Sequence, residues 1–365
     1  MKAVYIHLPF CSTICTYCDF CKILYNEDIV NRYLVALRKE IIDNYKGEQI
    51  KTLYIGGGTP SVLSVKQMEN LFNILSIFKL EKDSELTFEC NVENITKEKV
   101  EILKKNKINR LSIGIETFNS KYLKLLGRKH IKEEIQKKIK FVKKYFKNVN
   151  IDLMYAFETE TMEELRYDLE EAIKLKPTHI SIYSLIIEPH TRLFLEKHKN
   201  VSEEIDSDMF NYIRVELSKN GYDHYEISNF SKKGYESKHN LTYWNNLEYY
   251  GFGAGASGYI NNVRYDNTKS VFNYLKGDTK ILEEKQTEKE KLENEFILGF
   301  RKISGINKTD FNKKYNMDVT EVYSIKKLLK EEKIIENERY VYINPKYLYI
   351  MNEILIEFLD MKEGI

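Results

Sequence analysis

Six strand-like apolar runs recur through the first half of the chain, at residues 4–8, 51–55, 86–90, 110–115, 150–155 and 179–185. Segments with a helical period separate them. The first opens at Asn26, a residue suited to capping a helix, and carries Ile29, Tyr33, Leu37 and Ile41 at helical spacing. Others span 65–78, 96–105, 131–146 and 161–175. Strand–helix units in series imply a parallel sheet joined by right-handed crossovers. The expected class is therefore α/β. Eight such units would close a TIM barrel, so six predict a partial (β/α)6 TIM-like barrel. Ligands in such folds sit at the C-terminal ends of the strands.

Directly after the first run come Cys11, Cys15 and Cys18, in the spacing C-x3-C-x2-C. Thiolates in so compact a loop can reach one metal centre, and soft sulfur selects zinc, copper(I) or iron–sulfur clusters. A [4Fe–4S] cube normally takes four cysteines, so three leave one iron open to a further ligand. Cys21 extends the run to C-x3-C-x2-C-x2-C, which keeps a closed four-thiolate site or a ferredoxin-like electron carrier in play. Structural zinc usually shows two cysteine pairs farther apart. The odd count of five cysteines, and a first strand that begins at Met1 with no secretory leader, point to a reducing compartment. The expected location is cytoplasmic.

The second run ends in Gly56-Gly57-Gly58-Thr59-Pro60. Glycines let the backbone approach a ligand closely. Alone, this is equally a strand-to-helix turn, and a phosphate loop would need a Gly-Lys-Ser/Thr ending. Glu89 ends the third run and Glu116 the fourth, Arg128 follows, and Asp152 lies in the fifth. A lone acidic residue at a strand end is ordinarily a solvated or capping group. Here successive strands each place a polar residue toward one mouth. Carboxylates suit ribose hydroxyls, and a guanidinium suits a carboxylate through paired hydrogen bonds.

In this order the motifs resemble those of the radical S-adenosylmethionine (SAM) superfamily. The resemblance implies a [4Fe–4S] cluster on Cys11, Cys15 and Cys18 whose open iron chelates the methionine part of SAM. An electron from the cluster then cleaves SAM to a 5′-deoxyadenosyl radical that abstracts hydrogen. Tyr5, Gly57, Gly58, Thr59, Glu89, Glu116, Arg128 and Asp152 match positions that contact SAM in the family. Tyr17 matches the aromatic that packs on the adenine.

From Tyr5 to about Arg301 the chain is similar to the branch that contains oxygen-independent coproporphyrinogen III oxidase and the heme chaperones. The oxidases resemble C-x3-C-x2-C-x-C, where this chain has Phe20, and they carry an extension before the cluster strand that this chain lacks. Tyr225-Glu226-Ile227-Ser228-Asn229-Phe230, then His239-Asn240-Leu241-Thr242-Tyr243-Trp244, are similar to the chaperone branch. The H-N-x-x-Y-W element there is implicated in heme binding, and Gly251 to Ser257 continue the match. Imidazole is a standard axial ligand of heme iron, and aromatics can cover a porphyrin face. His239, Tyr243 and Trp244 are therefore the expected heme-contacting residues, against the plainer reading of a locally bonded histidine and core aromatics. The branch implies transfer of heme to acceptor hemoproteins, some at the membrane, and a reductant protein for the cluster. The alternative is the oxidase's radical decarboxylation of propionates. Four departures suggest a divergent member: Glu116 for Gln, Val92 for Pro, Ala156 to Thr161 for a G-L-P-x-Q-T turn, and Ser257 for His.

The pattern changes after about residue 195. A helix-like stretch at 203–218 precedes an aromatic, glycine-rich segment at 222–265, and residues 287–365 read as helices with one strand-like run at 340–343. The expected division is a barrel at 1–195, a connecting segment with the heme element at 196–280, and a mostly helical α+β region at 281–365. The later parts are expected to cover the barrel mouth. The charge balance, 57 basic against 55 acidic residues, demands no nucleic acid. No apolar run approaches the roughly 18 residues of a membrane span.

Overall fold

The computed structural model describes residues 2–359. Strands β1 (Lys2–Leu8), β2 (Gln49–Gly57), β3 (Lys79–Asn91), β4 (Arg110–Glu116), β5 (Asn148–Tyr155) and β6 (His179–Ser184) pair in chain order, each parallel to the last. The main crossover helices are α1 (Glu27–Asn44), α2 (Val65–Leu75), α3 (Lys97–Lys105), α4 (Lys132–Val142) and α5 (Met162–Leu175). Their starts follow the capping logic. The side chains of Asn26, Thr96 and Thr161 each accept a backbone N–H from the first turn, which satisfies a donor that would otherwise be orphaned.

Alternation along the strands divides the molecule into two environments. Val4, Ile6 and Leu8 of β1, with Leu53 and Ile55 of β2, join the apolar core shared with the helices. The intervening residues meet across the inner face instead. Tyr5 lies 6.0 Å from Tyr54 between ring centroids, and Tyr54 donates to Glu89. The inner face is thus polar and hydrogen-bonded, an arrangement stable only where each buried group finds a partner.

The later half of the chain completes this sheet. Strands β7 (Asp223–Glu226) and β8 (Asn229–Ser231) add antiparallel beyond β6. Strand β9 (Tyr249–Phe252) adds parallel beside β1, followed by β10 (Ser257–Ile260), β11 (Val263–Asn267) and β12 (Lys280–Lys285) in antiparallel order. The order is β12-β11-β10-β9-β1-β2-β3-β4-β5-β6-β8-β7. The expected six parallel strands therefore gain a seventh. These later strands are short, and β9 depends on a glycine: a Cβ on Gly251 would lie 1.9 Å from the Ser257 carbonyl oxygen. Helix α6 (Glu203–Lys219) precedes β7, and α7 (Lys238–Trp244) precedes β9.

The C-terminal region is mainly helical, around a small antiparallel sheet of Ile306–Asn307, Tyr340–Ile343 and Ile334–Glu336. Among the described residues no helix is long and apolar enough to cross a membrane.

Candidate functional site

A cavity of about 550 Å³ opens at the C-terminal ends of the parallel strands. Such a volume is ordinary for a cofactor or small-molecule site. Cys11, Cys15 and Cys18 form part of its wall; Gly57, Gly58, Thr59, Glu89, Glu116, Arg128 and Asp152 form much of the rest, with Tyr17. Every described residue lining it lies between Cys11 and Glu188. The later regions do not cover this mouth as expected, because their strands extend the sheet edges and α7 packs against β2.

The cysteine loop is fixed from two sides. Thr16 donates through its N–H and hydroxyl to the Leu126 and Leu125 carbonyls. His7 bonds the Cys21 carbonyl through Nε2 at 2.9 Å, leaving Nδ1 to accept from the Tyr5 hydroxyl at 3.1 Å. Cys21 is turned away from the cavity. Its Sγ donates to the Lys269 carbonyl at 3.0 Å, and a Cβ on Gly255 would meet its own Cβ at 2.5 Å.

Burial pushes the thiols of Cys11, Cys15 and Cys18 up, Cys11 to about 11. Arg128 opposes this at Cys15 and Lys22 at Cys18. A metal centre would displace those protons. Among the described residues no three His, Cys, Asp or Glu side chains are grouped as ligands of a single ion. Three soft donors on one wall fit a cluster with an open position.

The glycine loop is a cradle made by close approach. Gly57 has φ +110°, and a Cβ there would lie 2.6 Å from the His7 ring. A Cβ on Gly58 would lie 2.8 Å from the Phe10 backbone. Glu89 secures the loop: its carboxylate accepts from the Gly57 N–H at 3.0 Å and from the Tyr54 hydroxyl at 2.7 Å. Burial pushes Glu89 up to about 7. Asp152 accepts from Ser112 Oγ at 3.0 Å and Asn150 Nδ2 at 2.8 Å.

Arg128 is the most engaged group in the cavity. It forms an ion pair with Glu116 at 2.9 Å and donates to the Gly114 carbonyl at 3.0 Å and to Asn91 Oδ1 at 3.2 Å. Both members of the pair are more than nine-tenths buried. Arg128 Nε is buried with no hydrogen-bond partner. Glu116 takes the left-handed conformation, φ +63°, rare for a residue with a side chain. The next turn is pinned by Asp168, which accepts from the Thr117 hydroxyl and, at 2.9 Å, from the Phe118 N–H. With Glu rather than Gln at 116, the protein itself supplies an anion to Arg128.

The structure brings the cysteines together with the expected SAM-side residues, except Tyr5, which lies one layer deeper behind Tyr54 and His7. It does not bring His239, Tyr243 and Trp244 to this cavity. His239 is 1% exposed and lies one layer beneath the cavity, its ring centroid 5.1 Å from that of the cavity-lining Tyr54, with Nδ1 on Thr52 Oγ1 at 2.8 Å and Nε2 on the Tyr243 hydroxyl at 2.7 Å. Thr52 precedes Gly57 by five residues, roughly 16 Å of strand. Burial pushes His239 down to about 3, so its imidazole is neutral. Trp244 packs under the Arg301 guanidinium, 5.7 Å from its ring centre. Tyr54, Asn91 and Ser112 were not singled out from sequence, yet all three line the cavity. The available signal was parity: Tyr54 alternates with Gly56, and Asn91 with Glu89.

Residues 5–172 match the radical SAM superfamily. The chain is 39% identical to the heme chaperone HemW of Lactococcus lactis, over 98% of this chain and 97% of the relative. It is 37% identical to the Bacillus subtilis heme chaperone HemW, over 98% and 99%. Among solved structures, coproporphyrinogen III oxidase from Escherichia coli, a radical SAM enzyme, superposes with a TM-score of 0.86 at 21% identity, over 98% of this chain and 89% of that one. That likeness is one of fold. With near-complete coverage and well over a third of positions identical, the sequence places the protein on the chaperone side of this branch: the chain belongs to the HemW family of the radical SAM superfamily.

Proposed function

We propose that this protein holds a [4Fe–4S] cluster and SAM at the strand C-termini, binds heme, and passes heme to acceptor hemoproteins in the cytoplasm or at the membrane surface. A reductant protein would supply electrons to the cluster. The observation that carries the cofactor assignment is the orientation of the cysteines: three thiols line one cavity and the fourth, Cys21, faces the Lys269 carbonyl. The full-length similarity to heme chaperones supports the heme assignment.

Bound together, cluster and SAM would supply a one-electron reductant and a source of an organic radical. The protein's own residues bind and orient. Gly57 and Gly58 present backbone at close range, Asp152 offers carboxylate oxygens to hydroxyl donors, and Arg128 Nε offers a buried donor to an anion. For His239 to contact heme iron a ring nitrogen must give up its partner: Nδ1 is released if α7 leaves Thr52, whereas Nε2 is held by Tyr243 of the same helix.

The test is anaerobic. The cluster is reconstituted, and heme and coproporphyrinogen III are offered separately with SAM and a reductant. The proposal expects heme binding with little decarboxylation, and His239→Ala should weaken heme binding or change its absorption spectrum while leaving the cluster intact. Efficient conversion to protoporphyrinogen would move the chain to the oxidase reading.

A further inference from the structure

Helix α7 lies beneath the cavity, where His239 packs on the underside of Tyr54, and a continuous line of hydrogen bonds also joins the start of the helix to the cavity through the barrel interior. Asn150 Nδ2 donates to Asp152 Oδ1 at 2.8 Å. Asn150 Oδ1 meets His179 Nδ1 at 2.6 Å, His179 Nε2 meets the Tyr225 hydroxyl at 2.7 Å, and the Ser237 N–H donates to that hydroxyl oxygen at 3.2 Å. Ser237 is the N-cap of α7 and is fully buried.

The polarity of this line is fixed by its two ends. A backbone N–H can only donate, and a carboxylate can only accept. Asn150 gives its amide hydrogens to Asp152 and to Ser112 Oγ, so its oxygen must receive from His179. His179 is fully buried and its burial holds it well below the usual histidine range, so the ring is neutral, with Nδ1 protonated and Nε2 accepting from Tyr225. Every link therefore points from α7 toward Asp152. A chain of one polarity reinforces itself, and its strength depends on the charge at its accepting end.

The same helix start has a second tie to the barrel. Glu85 of β3 accepts from the backbone N–H groups of Lys238 and His239 at 3.2 and 3.1 Å. The segment that carries His239 is thus seated on two barrel carboxylates, one direct and one through the line that ends in the cavity.

We propose that His179 and Tyr225 are positioning residues that couple occupancy of the cavity at Asp152 to the seating of α7. The inference rests on SAM being the ligand of that cavity. A ribose hydroxyl donating to Asp152 draws on the charge that polarises the line, so each link weakens and the α7 start loosens. By linkage, a ligand that unseats α7 changes the affinity for SAM by the same factor.

The experiment measures amide hydrogen exchange at residues 237–239 in the cluster-reconstituted full-length protein, with and without SAM, beside direct SAM binding by the same samples. In the parent, SAM should speed exchange at these amides by about fivefold or more, the lower end of ordinary coupling. In Tyr225→Phe, which loses only the hydroxyl, SAM should still bind and the SAM-dependent difference should vanish. A merely structural tyrosine would raise exchange equally with and without SAM. SAM binding with unchanged or slower exchange in the parent overturns the coupling alone, and this arm decides even where the variant fails to fold. Absence of SAM binding overturns both the coupling and the cofactor assignment. A difference that survives in Tyr225→Phe overturns the route.

Discussion

The buried pair of Glu116 and Arg128 gives the sharpest test of how the cavity is balanced. In Glu116→Gln the shape is kept and the charge is lost, so Arg128 is left as a buried cation without its ion-pair partner, hydrogen-bonded to the neutral Gly114 carbonyl and Asn91. Removing one member of a buried ion pair destabilises a protein by about 3–5 kcal/mol. At an unfolding entropy of about 2.1 cal/mol/K per residue, a 365-residue chain that melts as one unit would lose roughly 4–6.5 °C. The freed guanidinium would then accept the carboxylate of an amino-acid ligand, so SAM should raise the melting temperature of Glu116→Gln more than that of the parent. The assay is anaerobic thermal unfolding of reconstituted protein with and without SAM, for Glu116→Gln, Arg128→Gln and the double variant. Coupled sites give non-additive losses. A melting temperature within about 1 °C of the parent, or strictly additive losses, would refute the view that Glu116 is the counter-ion of Arg128.

The cysteines should divide cleanly: Cys11→Ala, Cys15→Ala or Cys18→Ala should abolish the cluster's visible absorption, and Cys21→Ala should retain it. Loss of the cluster in Cys21→Ala would favour a closed four-thiolate site. Asp168 is buried and pushed up to about 7 from the usual 3.8, so the folded state holds its proton over a range where the unfolded chain has released it. Its contribution is most favourable below pH 4 and is lost as pH rises through 7, by at most about 4 kcal/mol; denaturant unfolding of Asp168→Asn should lack this slope, and parallel pH profiles would count against it. Gly57→Ala should weaken SAM binding at least tenfold, or about 1.4 kcal/mol, because a Cβ there meets the His7 ring; equilibrium binding checks this.

The six parallel strands and their crossover helices were legible because each strand carries a short apolar run and each helix a 3.6-residue period, with Asn26 and Thr161 in their capping places. The cysteine spacing and the strand-end residues likewise marked the cavity. Strands β9 to β12 were not legible, since Gly251, Gly258 and a β12 exposed along its length interrupt any apolar pattern. The barrel interior was not legible either. Arg110, Asn150 and His179 are polar residues whose type alone reads as solvent-facing, and only the folded barrel shows them buried in its interior, with His179 bonded to Asn150. Asp168 gave no signal, because a carboxylate on a helix reads as a solvated group until its partners, 50 residues upstream, are folded against it.

The position of β9 also bears on the order in which a growing chain can be completed. Strand β1 lies between β2 and β9, and the loops around β9 and β11 close on the back of the cysteine loop through Gly255 and the Lys269 carbonyl. At about 5–20 residues per second, roughly 13–50 s separate the emergence of Cys18 from that of Lys269. During synthesis the three thiols therefore stand on a loop without its backing, next to a strand with one edge unpaired. Cluster insertion is expected to follow release of the nearly full chain, and a fragment ending before Tyr249 should bind iron and sulfide poorly under conditions that load the whole protein.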